Sequence, residues 1–401
     1  MIKEKTQAPK KGQKGRFLGT FTKLHVNHMP QGFQRVHDFI LQDQSAKLLP
    51  LERVSHCLKK RIDKKKNRVV MYNEEREKMH YGNVQRCGSQ WICPVCAKKI
   101  TEARREELKK GLSVWRERGG YIYLMTLTFS HHQGQPLKFL LAGQKKALKI
   151  FHETTKVQEL FKSVGVQFKI KGLEVTYGQN GWHPHNHFLL LSTEYLNISN
   201  FCALEKDLSE YWIKACIKAG LDAPSMKYGL DLRDGSYAQD YVAKWGLEHE
   251  LTKGHVKKGR KDSVTPFDFL QLSISDGIIH GREASTLWQE FGICIKGCPM
   301  LQWGRGLKAH LGLKDVKDQD IVDETDKQSI QVYDIPVLLF YLLTKYQKRH
   351  LFLEALEKDW KQGTFGSGAA ESLVLELIEI EESKFDDYDD EYYKMILRIM
   401  A

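Results

Sequence analysis

The chain has 401 residues, enough for two or three domains and a sizeable core. Its hydrophobic fraction is 41%, no apolar run is long enough to span a membrane, and its charged first residues lack the apolar stretch of a secretory signal, so a cytoplasmic protein is expected. A net charge of +12 favours a polyanionic partner, and eight cysteines in a long cytoplasmic chain argue against a disulfide scaffold.

Residues 1–55 read as a basic extension, with a short strand expected at 17–26 and a helix at 32–48. Residues 56–100 carry the first chemistry. Arg86-Cys-Gly-Ser-Gln-Trp-Ile-Cys-Pro-Val-Cys96 contains a C-x-x-C knuckle, whose tight turn aims two thiolates at one tetrahedral ion. Cys87 and Cys57 complete a four-cysteine set with Cys93 and Cys96, and His56 or His80 is the alternative fourth ligand. A redox C-x-x-C is the rival reading, but no thioredoxin-like pattern surrounds it, so structural Zn²⁺ is expected. Cys202, Cys216, Cys294 and Cys298 read as small buried apolar residues. A helix then runs from about 94 or 97 to 118. It has Ile100, Ala103, Leu108, Leu112 and Trp115 on one face and Lys98, Lys99, Arg104, Arg105, Lys109 and Lys110 on the other. Such a basic face is either solvated or turned towards a nucleic acid.

Residues 119–130 are apolar and β-branched and read as a buried strand, followed by a helix over 137–161. Next come two strands joined by Gly178-Gln-Asn-Gly181, residues that tolerate the positive φ of a hairpin turn. Side chains alternate along a strand, so His185 and His187 share a face. With Gln179-Asn180 as the turn, Glu174 pairs with His185; with Asn180-Gly181 as the turn, it pairs with His187. Both registers put one carboxylate and two imidazoles on one face, the donor set of an open catalytic metal site. A lone histidine near a strand is usually structural, but this trio is harder to dismiss.

A helix at 199–219, a strand at 228–232 and a helix from 235 to about 247 complete the order β-α-β-β-α-β. This is the split-βαβ, ferredoxin-like pattern of an α+β protein, with helices on one face of an antiparallel sheet and the other face free for a ligand. On the last helix Tyr237, Tyr241 and Lys244 share a side. Tyrosines and lysines on helices usually serve packing and solvation. Opposite a metal site, Tyr241 instead reads as a nucleophile and Lys244 as a charge partner for a phosphate. The basic loop 254–261, with Lys257, Lys258, Arg260 and Lys261, suits phosphate contacts. Residues 101–313 are taken as the core, and 314–401 as a helical, acidic region that packs on it, binds a protein partner or self-associates.

Leu124-Met-Thr-Leu-Thr-Phe-Ser-His131, Trp182-His-Pro-His-Asn-His-Phe-Leu-Leu190 and Tyr241-Val-Ala-Lys-Trp245 resemble, in that order, the three motifs of the HUH endonucleases. The similarity is greatest to the replication initiators of rolling-circle plasmids. The Arg86–Cys96 segment and Gln302-Trp-Gly-Arg-Gly-Leu-Lys308, with Arg305 as a DNA contact, resemble regions flanking that core. The resemblance implies metal-dependent nicking and joining of one DNA strand at a plasmid origin, as a single strand or hairpin. Tyr241 would form a 5′-phosphotyrosine, with Mg²⁺ or Mn²⁺ at Glu174, His185 and His187. It also implies a host helicase and polymerase as partners. His183 would support the ligands or only the hairpin. Asn186 stands where the family tends to have an apolar residue, and Tyr237 where some initiators place a terminating glutamate. Termination would then use Asp240 as base, a water with another base, or Tyr237 as a second nucleophile. A transposase or mobilisation relaxase would share this chemistry; a non-catalytic zinc-containing DNA-binding regulator would not need it.

Overall fold

The structure, a computed structural model, describes residues 31–234, 263–324, 329–365 and 367–383. The expected strand at 17–26, the helix from 235 and the basic loop at 254–261 lie outside the described residues. In chain order the elements begin with α1 (Gln31–Leu48), β1 (Arg68–Asn73), β2 (Lys78–Gly82) and α2 (Pro94–Glu117). The central elements are β3 (Tyr121–Leu127), α3 (Leu137–Glu153), α4 (Thr155–Ser163), β4 (Val166–Gly178), β5 (Gly181–Ser192), α5 (Ile198–Ala219) and β6 (Leu230–Arg233). After the gap come α6 (Pro266–Leu272), the small hairpin of β7 (Ile278–Ile279) and β8 (Arg282–Glu283), α7 (Ala284–Cys294), β9 (Leu301–Trp303) and α8 (Leu307–His310). The chain closes with α9 (Asp318–Asp323), β10 (Ser329–Ile335), α10 (Val337–Lys345), α11 (Arg349–Gln362) and α12 (Ala369–Glu382).

The central sheet has the order β6-β3-β5-β4-β9, and every neighbouring pair is antiparallel. Its first four strands by sequence are thus arranged 4-1-3-2, the ferredoxin-like α+β topology, with β9 added at one edge. One face carries Tyr123, Met125, Leu173, Val175, Phe188 and Leu190, buried in the main core with Leu140, Phe151, Leu208 and Trp212 of α3 and α5. The helix expected over 137–161 is two helices. Thr154 breaks it with an extended backbone (φ −69°, ψ 119°), and its hydroxyl donates back to Ile150 O at 2.8 Å. Residues 278–283 form the small β7–β8 hairpin just before α7.

The opposite face is not wholly free, contrary to the sequence expectation. Leu108, Leu112 and Trp115 of α2, with Leu307 and Leu311, form a second core over Ile122, Leu124, Ile170, Leu189 and Leu191. The apolar stripe of α2 therefore covers one half of this face, and the residues of polar character occupy the other half. The basic side of α2 is partly neutralised within the chain. Lys98 pairs with Asp38, Arg104 with Glu107 and Asp318, and Arg105 with Glu102 and Glu106.

A second sheet, β10-β1-β2, joins the two ends of the chain. Arg349 of α11 is 1% exposed. It donates to Asp43 Oδ1 of α1 at 2.6 Å and to Leu58 O at 3.2 Å, beside the early cysteines. The acidic α12 buries Val374, Leu377 and Ile378. Of the readings open for the C-terminal region, packing on the rest of the chain is what the described residues show.

Candidate metal centres and the central sheet

The hairpin resolves the two open registers. Gly178 pairs with Gly181 and Glu174 with His185, so Gln179-Asn180 form the turn. Gly181 has φ +82°, and a Cβ there would come within 3.2 Å of His132 O and Gln133 Cα, so both backbone and space demand glycine. On β3, Thr126 pairs with His187. Residues directly opposite across antiparallel strands share a face, so Glu174, His185, His187 and Thr126 form one patch beside the α2-covered half.

Glu174 Oε2 lies 3.1 Å from His185 Nε2 and 3.2 Å from His187 Nε2. Ligand atoms about 2.1 Å from one ion stand roughly 3.0–3.4 Å apart in octahedral or tetrahedral geometry. The spacing therefore matches a shared cation. The far sides of both rings are engaged as well. His185 Nδ1 is 3.3 Å from His183 O, and His187 Nδ1 is 3.0 Å from Thr126 Oγ1. A backbone carbonyl can only accept, so His185 carries its proton on Nδ1 in that contact and turns a bare Nε2 towards the carboxylate. A bare His185 Nε2 facing a carboxylate suits a cation between them. The side chains of Glu174, His185 and His187 are 24%, 12% and 13% exposed, deep enough to strengthen electrostatics yet still reachable. These residues could hold a metal ion.

The histidine row continues beyond the trio. The His183 ring packs against His185 at a tilt, centroids 4.9 Å apart, and His131 packs likewise 4.6 Å from His183 and lies 2.9 Å from Asn180 O through Nδ1. Burial pushes the His131 imidazole below its ordinary range. Asn186 points to the opposite face, as strand alternation requires, where it is 2% exposed and its Nδ2 has no hydrogen-bond partner among the described residues.

Cys57, Cys87, Cys93 and Cys96 come together as a buried group. Sulfur separations of 3.5 Å (Cys57–Cys96) and 3.7 Å (Cys87–Cys96 and Cys57–Cys93) fit the roughly 3.8 Å edge of a tetrahedron with bonds of about 2.3 Å. Cys93 immediately precedes α2, with Pro94 opening the helix, and the Cys87 amide donates to Cys57 Sγ at 3.4 Å. A buried four-cysteine set of this size could bind zinc. His56 and His80 are not members of the group. Of the scattered cysteines Cys216 is buried, but Cys202 is exposed and Cys294 and Cys298 are half-buried, so small-residue burial accounts for only part of them.

Tyr237, Asp240, Tyr241, Lys244, Lys257, Lys258, Arg260 and Lys261 lie outside the described residues. Arg305 is exposed on the turn after β9. Nothing in the β3 pattern alone marks Thr126, because a strand's own sequence does not say which residue of another strand faces it. Among the described residues, no helix is long and apolar enough to cross a membrane.

No family model and no solved structure matches the chain. Curated relatives include a protein described as "Protein rep" from Streptomyces lividans, 26% identical over 294 residues, which takes in 57% of this chain and 64% of that protein. A protein described as "Neomycin resistance protein" from Streptomyces cyanogenus is 26% identical over 131 residues, or 26% of this chain and 30% of that one. The chain thus spans less than two thirds of either relative. Over more than half of its own length it is similar to the protein described as "Protein rep".

Proposed function

We propose that the chain is a plasmid replication initiator of the HUH type, cutting and rejoining one DNA strand at an origin through Tyr241. The observation that carries this reading is the convergence of Glu174, His185 and His187 on one half of a ferredoxin-like sheet. The similarity to a "Protein rep" supports it independently. A cofactor that fits this donor set is Mg²⁺ or Mn²⁺, which when bound would polarise the scissile phosphate. Glu174, His185 and His187 would hold it, and His183 O and Thr126 would fix the rings. The Tyr241 oxygen attacks phosphorus and the P–O3′ bond breaks. The phenolic proton passes to a base, and the leaving 3′ oxygen takes up a proton to become a free hydroxyl. A phenol with a pKa near ~10 is a weak nucleophile, and Lys244 is assigned to offset charge on the phosphoryl oxygens. Asp240 and Tyr237 are the candidates for the terminating step. Zn²⁺ at the four cysteines is assigned a structural role, tying the N-terminal segment to the start of α2.

The test is a covalent adduct between the protein and labelled single-stranded DNA from the replicon that carries the gene. With Mn²⁺ the wild-type protein should form it, whereas Tyr241→Phe should bind the same DNA and form none. An adduct that persists in Tyr241→Phe removes that residue from its role.

A further inference from the structure

The sheet face opposite the histidines carries an unusual charge arrangement at its β4 edge. Lys169 and Lys171 are two residues apart on β4, so they share that face, which is otherwise the main core. Lys145 on α3 lies close enough to Lys171 for the two charges to repel each other. None of the three makes an ion pair with a carboxylate among the described residues.

Their neighbours are neutral. Lys169 Nζ lies 3.3 Å from His152 Nδ1 and 3.6 Å over the Phe161 ring. Burial drives the His152 imidazole down to about 3, with Lys169 and Lys171 adding to the shift, so this ring carries no charge at neutral pH. Beside Lys171 the Cys298 thiol is raised by burial and stays protonated. Burial also lowers Lys171, and it pushes the Lys169 ammonium down to about 8.

Withdrawing ammonium groups from water without a counter-charge disfavours their charged form. A chain that needed only packing here would be served by apolar side chains. Next to this trio the Gly304 amide donates to Lys169 O at 2.9 Å, and a Cβ on Gly304 would sit 2.8 Å from that oxygen. This close approach brings the exposed Arg305 alongside the same strand.

We propose that Lys145, Lys169 and Lys171, at the sheet edge next to the exposed Arg305 turn, form a seat for the phosphodiester backbone of a nucleic acid, on the sheet face opposite Glu174, His185 and His187. The proposal rests on the reading of this chain as a DNA-processing protein and adds where a strand is held away from the reacting phosphate. Anionic oxygens supply the counter-charge that is missing among the described residues. Recognition is by charge alone and carries no base preference.

The experiment measures the affinity of the full chain for long single-stranded oligo(dT) over a range of salt concentrations. Each lysine–phosphate contact contributes about 0.7 to the slope of log affinity against log salt for single strands. Lys145→Gln, at an exposed position that tolerates the change, should make the slope shallower by about 0.7, and Lys145→Gln with Lys171→Gln by about 1.4. Lys149→Gln, on the same helix but beside Glu153, is the control and should leave the slope unaltered. An unchanged slope in both the single and the double variant overturns the seat, and so does an equal loss in the control, which would reduce the effect to net charge. The metal-dependent adduct of the wild-type protein is scored separately. Failure of the strand-cutting reading and failure of the seat therefore register in different measurements.

Discussion

Thr126 shows how much of a site can rest on one hydroxyl. Its Oγ1 stands 3.0 Å from His187 Nδ1, and accepting that ring's proton leaves Nε2 free to face Glu174. Loss of such an outer contact typically lowers metal affinity by about 10–100-fold. Thr126→Val, nearly the same shape without the hydroxyl, should therefore weaken Mn²⁺ binding by that factor in calorimetry on metal-free protein, and Thr126→Ser should restore most of it. Equal affinity in wild type and Thr126→Val would reduce the hydroxyl to a packing role. The convergence of Glu174, His185 and His187 was legible in the sequence because alternation and a glycine-flanked turn are short-range signals. Thr126 was not, since it meets His187 across 61 residues of chain. Asn186 was readable in direction but not in cost: its orientation follows from parity, whereas its buried, unpartnered Nδ2 depends on what α3 and α5 place there.

Among the elements, the long amphipathic α2, the β4–β5 hairpin and α5 follow their sequence patterns to within a few residues. The β1–β2 hairpin was missed because its strands are of mixed character and its turn is a charged stretch without glycine, and β10 because it meets β1 across more than 250 residues of chain. The free sheet face was expected from topology alone. It is half covered because Leu108, Leu112 and Trp115 need an apolar surface, and Ile122, Leu124, Leu189 and Leu191 provide one. The junction of the two chain ends is fastened by Arg349 and Asp43, whose side chains are 1% and 10% exposed. Removing one member of a buried ion pair typically costs about 3–5 kcal/mol. Asp43 keeps Lys59 at 2.8 Å, so Arg349→Ala should lower the unfolding free energy by less than that, about 2 kcal/mol, in urea titration, and a loss below about 1 kcal/mol would show that other contacts hold α11 to α1.

Seen as a whole, the molecule divides its chemistry between surfaces. Glu174, His185 and His187 converge on one half of a sheet face, Lys169 and Lys171 lie on the other face, and a four-cysteine group sits where the N- and C-terminal segments meet. The net charge of +12 predicts attraction to a polyanion without saying where it acts, and on α2 the cations Lys98, Arg104 and Arg105 are paired within the chain. The central claim is that Glu174, His185 and His187 hold one divalent cation. Anomalous diffraction from crystals soaked in Mn²⁺ tests it most directly. The account predicts a single peak on that face, about 2.0–2.2 Å from Glu174 Oε2, His185 Nε2 and His187 Nε2. A map with manganese elsewhere and none among these three atoms would contradict it.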